Sequence, residues 1–287
     1  MKNPYKRTDI FSCNYREHSK FDYQVSAYHV MRQKKCYPQG CIMFKWSCAM
    51  LDKGKKCVRG YNYMGRLCDG CSWYMDEKIH YQPRIQVTPA EFEKFIQEIE
   101  DFEDWIQESR AREVNIYCEV DSIKPHFFKQ INGKTGQFRL AGYLLICKQG
   151  YIGNVHFEDY FYITISPGQQ ERLRLAPGDR FDARGALTLD HGRVLFPKIG
   201  HIEFESRSGK ATWTNSKALV VRQTAVGFRY QHETCLHCHN GALVDVIETI
   251  QGNSKLHREL YCLEGVQDPV LCSIHAFSKL NICREMN

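Results

Sequence analysis

The stretch VHFEDYFYITIS, residues 155–166, alternates apolar and polar side chains over most of its length. Read as a β-strand, it puts Phe161, Ile163 and Ile165 on one side and Tyr160, Tyr162 and Thr164 on the other. A strand that is apolar on one face only belongs to a sheet with one face on a core. Neighbouring segments repeat the signal. VNIYCEVDSI (114–123) alternates, and QFRLAGYLLIC (137–147) follows the turn sequence NGKTG (132–136). LAPGDRFDARGALTL (175–189) comes next, and LDHGRVLF (189–196) reverses direction at Asp190–Gly192. Residues 114–206 therefore read as an all-β domain of five strands.

Five strands, a Gly178–Asp179 entry to the fourth and a tight hairpin between the fourth and fifth resemble the oligonucleotide/oligosaccharide-binding barrel, the OB-fold. The resemblance covers about 90 residues and implies a face that binds an extended ligand. Tyr160 and Tyr162 are the candidates for stacking on bases. Arg172, Arg174, Arg180, Arg184 and Arg193 are the candidates for phosphate contact. Residues 114–206 hold 11 Lys and Arg against 10 Asp and Glu, so no strong basic field supports that face. The alternative is that both tyrosines pack against a neighbouring module.

Three segments flank this domain. Residues 86–113 contain TPAEFEKFIQEIEDFEDWIQESR (88–110), which predicts a helix with Thr88 as N-cap, Pro89 in the first turn and Glu91 completing a capping box. Phe92, Phe95, Ile96, Ile99, Phe102 and Ile106 recur at helical spacing, and the other face is acidic. Residues 1–85 read as a cysteine-rich module of short strands and turns. In residues 207–287, connecting structure with one apolar strand, ALVVRQ (218–223), precedes a second cysteine-rich module. The fold class expected is mainly β with one long helix (α+β): an OB-like five-stranded barrel between two small metal-binding modules.

Fourteen cysteines are present, six between residues 36 and 71 and four between 235 and 272. The opening MKNPYKRTDIFSC has basic residues but no apolar run behind them. The expectation is a cytoplasmic, reducing setting in which thiols stay free or bind metal. In CLHCHNGALVDV (235–246), Cys235 and Cys238 have the spacing that lets one turn present two sulfurs to one ion, and Cys262 and Cys272 complete a set of four. The set is similar to a zinc ribbon in its first half only. The same segment spells the C-x-x-C-H of c-type haem with His239, a reading that leaves Cys262 and Cys272 without a use. In the N-terminal group the expected ligands are Cys48, Cys57, Cys68 and Cys71, with Cys41 as a substitute and Cys36 to spare. Cys13, Cys118, Cys147 and Cys283 stand apart and receive no role. Zinc or [4Fe–4S] clusters at two sites are the expected cofactors.

Charge is uneven along the chain. Residues 1–85 carry 16 Lys and Arg against 7 Asp and Glu, and residues 86–113 carry 3 against 9. A basic module suits nucleic acid, but the two segments could equally attract each other. No catalytic motif is found. Gly133-Lys134-Thr135 has Phe128 where a phosphate loop needs its first glycine. His156-Phe157-Glu158 lacks the proline-preceded cysteine pair of zinc deaminases. H-E-x-x-H and G-x-S-x-G are absent. No run approaches the ~18 apolar residues of a membrane span. Two functions follow as expectations: an OB-like binding protein for nucleic acid or a protein partner, with structural metal, or an iron–sulfur electron-transfer or accessory subunit.

Overall fold

The structure, a computed structural model, describes residues 1–110, 112–132, 135–209, 211–228, 233–236, 238–250 and 253–272. The chain packs as two compact units, one formed by Asn3–Glu103 and the other by Met1–Lys2 with the chain from Asp104 onward.

The first unit has little regular structure. Strands β1 (Phe11–Ser12), β2 (Gln24–Val25), β3 (Cys41–Cys48), β4 (Tyr74–Tyr81) and β5 (Arg84–Ile85) make two separate sheets. One is the three-stranded β2-β1-β5 and the other is the antiparallel hairpin β3-β4. Helix α1 (Pro89–Arg110) follows. Its first turn is closed as the sequence predicts: the Thr88 N–H donates to Glu91 at 2.9 Å and the Glu91 N–H donates to Thr88 Oγ1 at 3.3 Å. Phe95, Ile99, Phe102 and Ile106 are buried, as the apolar stripe requires. In the first unit Phe11 meets Phe95 edge-on at 6.1 Å, and Tyr5 meets Phe102 at 5.6 Å. The boundary between the units falls inside the helix, after Glu103.

The second unit is built on β6 (Val114–Asn132), β7 (Thr135–Ile152), β8 (Val155–Phe157), β9 (Phe161–Ile165), β10 (Arg180–Gly185), β11 (Thr188–Asp190), β12 (Arg193–Phe196), β13 (Ile199–Ser206), β14 (Val226–Phe228), β15 (Gly241–Ile250) and β16 (Asn253–Cys262). These eleven strands form one sheet, with the path β11-β12-β9-β7-β6-β15-β16-β14. β10 pairs with both β6 and β13. β9 lies parallel to β12, and β15 lies parallel to the far half of β6. β6 can serve neighbours at both ends because bulges at 118–122 and 126–127 bend it. The ladders do not close a barrel. Strand pairing from β9 reaches β12, pairing from β6 through β10 reaches β13, and β12 continues into β13 only through the chain at 197–198.

Strand β9 is buried at Phe161, Ile163 and Ile165 and half-buried at Tyr162 and Thr164, so the alternation read there is the alternation observed. The run 155–166 is nevertheless broken. β8 ends at Phe157, where the Met1 ammonium donates to the His156 carbonyl at 2.6 Å and the Glu158 N–H donates to the Met1 carbonyl at 2.9 Å. The Gly178–Asp179 entry to β10 is closed by the fully buried Asp179, whose carboxylate accepts the Ala176 and Ser208 N–H groups, each at 2.9 Å.

Three expectations need correction. A single long helix is too few: α2 (Pro167–Leu173), α3 (Asn215–Thr224) and α4 (Glu233–Leu236) accompany α1. ALVVRQ is helical, not a strand, because it lies inside α3. Thr214 caps that helix by accepting the Lys217 N–H at 3.2 Å, and Ala218 alone is fully buried while Leu219 and Val220 face out. Residues 207–272 are also more than an appended module, since β14–β16 extend the same sheet as 114–206.

Candidate metal centre and binding cleft

The C-terminal cysteines come together at one end of the β15–β16 hairpin. Cys235 lies in α4, and the chain then turns tightly, with Cys238 N donating to Cys235 O at 3.3 Å and Gly241 N to Cys238 O at 3.0 Å. The Asn240 N–H points at the Cys238 sulfur, 3.4 Å away. Gly241 is required here: a Cβ would run into the Cys235 carbonyl. Cys262 ends β16 directly opposite Gly241. One turn of 3-10 helix, Pro269–Leu271, then delivers Cys272. Cys235, Cys238, Cys262 and Cys272 line a single cavity of about 10 Å³, together with Phe228 and Val266. Cys235, Cys262 and Cys272 are buried. His239 is exposed and is not among the lining residues. Among the described residues, no three His, Cys, Asp or Glu side chains stand in the geometry of a closed ion site, so these sulfurs share a void without meeting at a point.

The N-terminal cysteines divide into two places. Cys48 is the last residue of β3, paired with Tyr74, and the 25-residue connection to β4 carries Cys57, Cys68 and Cys71. Tight turns hold each of them: Gly60 N donates to Cys57 O, Cys71 N to Cys68 O and Tyr74 N to Cys71 O, all at 3.0 Å. Backbone N–H groups of Arg59 and Tyr61 lower the Cys57 thiol below its ordinary value. Cys41, proposed from the sequence as a substitute here, begins β3. Eight residues of strand put it roughly 23 Å from Cys48, which removes it from that ligand set. Its neighbours are Cys36 and Cys13. Burial pushes Cys36 up to about 11, and the Cys41 and Cys13 thiols add to the effect; burial and then Cys13 raise Cys41. Cys118 and Cys147, given no role, are a buried pair with sulfurs 3.3 Å apart, and burial and the Cys118 contact hold the Cys147 thiol neutral. Cys283 lies outside the described residues. All thirteen described cysteines are free of disulfides.

A cleft of about 220 Å³ opens on the half-buried face of the large sheet, opposite the core residues Leu145, Ile163 and Val194. Its apolar wall includes Leu144, Ile146, Leu195 and Leu260, and its polar side is a connected charge network. Arg258 on β16 donates from both terminal nitrogens to Asp190 at the end of β11, each bond 3.0 Å long, and from Nε to Asp245 at 2.6 Å. His126 Nε2 completes the chain at 3.0 Å from Asp245, and its Nδ1 is buried with no hydrogen bond among the described residues. Burial pushes the Asp190 carboxyl up, but the hydrogen bonds from Arg258 and His191 and the charges of Arg193 and Arg258 outweigh it, leaving Asp190 well below the usual carboxylate range. Lys124, also in the wall, donates to the carbonyls of Cys238 and Gly241 at 2.7 and 2.8 Å, which ties β6 to the cysteine turn. Its burial lowers its pKa.

The structure brings together two of the residues proposed for a partner. Arg193 lies 5.0 Å over the Tyr162 ring, and both line the cleft. Tyr160 is exposed just before β9. Arg184 is exposed on β10, and Arg172 and Arg174 belong to the end of α2 and its left-handed cap. Lys124, His126, Asp245 and Arg258 were not foreseen. They converge only because β15 runs parallel to β6, a pairing 117 residues apart in sequence that no local pattern signals. No family model, no curated protein and no solved structure matches this chain.

Proposed function

We propose that this chain is a thiolate metal-binding protein whose metal is structural and whose OB-like sheet binds a nucleic acid or a protein partner. The observation that carries the metal is the shared cavity: Cys235, Cys238, Cys262 and Cys272 arrive from a helix, a turn, a strand end and a 3-10 turn, yet all face one void. Four thiolates suit a tetrahedral ion. A single zinc ion is the occupant proposed, with a [4Fe–4S] cluster as the alternative. Cys48, Cys57, Cys68 and Cys71 are assigned to a second such site at the end of the β3–β4 hairpin. A module with sheets this small needs such a staple.

The OB-like reading is supported by strand order. β6, β7 and β9 form a meander, α2 separates β9 from β10, β12 lies parallel to β9, and β10 pairs with β6. That is the order expected of an OB barrel if β12 and β13 are one bent strand. Tyr162 and Arg193 in the cleft are the partner contacts this reading favours.

Elemental analysis of protein purified without oxygen tests the metal. The expected result is zinc, with one equivalent lost in a Cys262→Ser/Cys272→Ser variant and a lower melting temperature. Metal-free wild-type protein, together with an unchanged melting temperature in that variant, would rule the proposal out. A brown, iron-containing preparation would replace zinc by an iron–sulfur cluster.

A further inference from the structure

Strand β3 exposes a stripe that no part of its own unit covers. Ile42, Phe44 and Trp46 alternate onto one face and are 48%, 56% and 60% exposed. The hairpin has only two strands. Across the ladder stand His80, Lys78 and Asp76. Elsewhere in the chain such alternation is buried, as in β9. Contiguous exposed apolar surface of this kind marks an interaction site.

We propose that this face of β3 stacks the bases of a single-stranded nucleic acid, with neighbouring lysines on its phosphates. Charge selects this occupant over a protein. Residues 1–85 carry 16 Lys and Arg against 7 Asp and Glu. Among the described residues, Lys45, Lys53, Lys55, Lys56 and Lys78 form no ion pair, whereas Arg7 and Arg32 in the same unit are paired. Successive rings on one strand face are about 6.6 Å apart, close to twice the ~3.4 Å rise of stacked bases, which leaves room for a base between them. A groove of about 1,220 Å³ lies along the hairpin and is lined by Arg16, Lys45, Phe44, Trp46, Tyr74 and Tyr81 among others. Asp52 and Asp69 line the same groove, so the phosphates are placed against Lys78, which stands across the ladder from Phe44. The inference rests on nucleic acid being the partner named above, and moves its principal contact from the cleft to the hairpin.

The test is fluorescence anisotropy of a labelled dT oligonucleotide of about 20 nucleotides with the full chain, at two salt concentrations. The wild type is expected to bind with strong salt dependence. Phe44→Ala and Trp46→Ala should each weaken binding about tenfold, since stacking on one ring is worth about that factor. Lys45→Gln and Lys78→Gln should each reduce the salt slope by roughly one. Tyr162→Ala with Arg193→Gln should weaken binding less than either hairpin variant does. Phe44, Lys45, Trp46 and Lys78 are all exposed, so these variants are expected to fold. Binding lost in the cleft variant but kept in the hairpin variants overturns this inference and leaves the cleft reading standing. No binding by wild type, or binding indifferent to salt, overturns both. Self-association of the wild type that Trp46→Ala abolishes, without oligonucleotide binding, assigns the stripe to a second copy instead.

Discussion

Asp190 collects more charge than any other residue described. It accepts from both terminal nitrogens of Arg258, from His191 and from Arg193. Its folded pKa lies below the unfolded value near 3.9, so its stabilisation is full above about pH 4 and is lost as the pH falls further. Asp190→Asn should therefore cost about 1–3 kcal/mol at neutral pH and flatten the acid limb of the stability curve. Urea unfolding at pH 7 and pH 3.5 checks both; a wild-type slope retained in the variant would move the effect elsewhere. Gly241 makes a second prediction at this scale. Because a Cβ there meets the Cys235 carbonyl, Gly241→Ala should open the cysteine turn and release metal at lower chelator concentration than wild type requires. Little of this was visible in the sequence. The cysteine spacing marked Cys235 and Cys238, but Arg258 and Asp190 are 68 residues apart and nothing local distinguishes either.

Elements were legible where their stabilising interactions are local. α1 announces itself through Thr88, Glu91 and a 3.6-residue apolar repeat, and β9 through strict alternation. Thr88→Ala should remove the first-turn acceptor and lower stability by about 1 kcal/mol, measurable by denaturant midpoint. The hairpin at Asp190–Gly192 was also readable, because His191 and Gly192 both take positive φ, which the Asp-His-Gly sequence accommodates. α3 was misread for a physical reason. Ala-Leu-Val-Val is as apolar as a buried strand, but the helix exposes Leu219 and Val220, so hydrophobicity pointed to a burial that does not occur. Leu219→Lys and Val220→Lys should accordingly be tolerated with little change in melting temperature, whereas a strand would lose its buried face.

At the scale of the molecule, the sequence suggested a barrel with two appendages and the chain instead makes two units. The reason is β15. Its parallel pairing with β6 spends the far half of a 19-residue strand on the C-terminal segment, which thereby joins the central sheet. Two units with separate thiol groups should respond separately to metal removal. Calorimetry of wild type with a strong chelator should lower both of two transitions, whereas Cys235→Ser should lower only the one belonging to the C-terminal unit. A single transition lowered equally by both treatments would argue against independent units.

Arg258 carries a consequence of its own. It belongs to the seventh strand of the sheet path and grips Asp190 on the first, so the curl is fastened along one seam by a guanidinium and a carboxylate, with no backbone ladder between them. Opening that seam would break the two Arg258–Asp190 hydrogen bonds, while the β11–β12 and β15–β16 ladders on either side could stay paired.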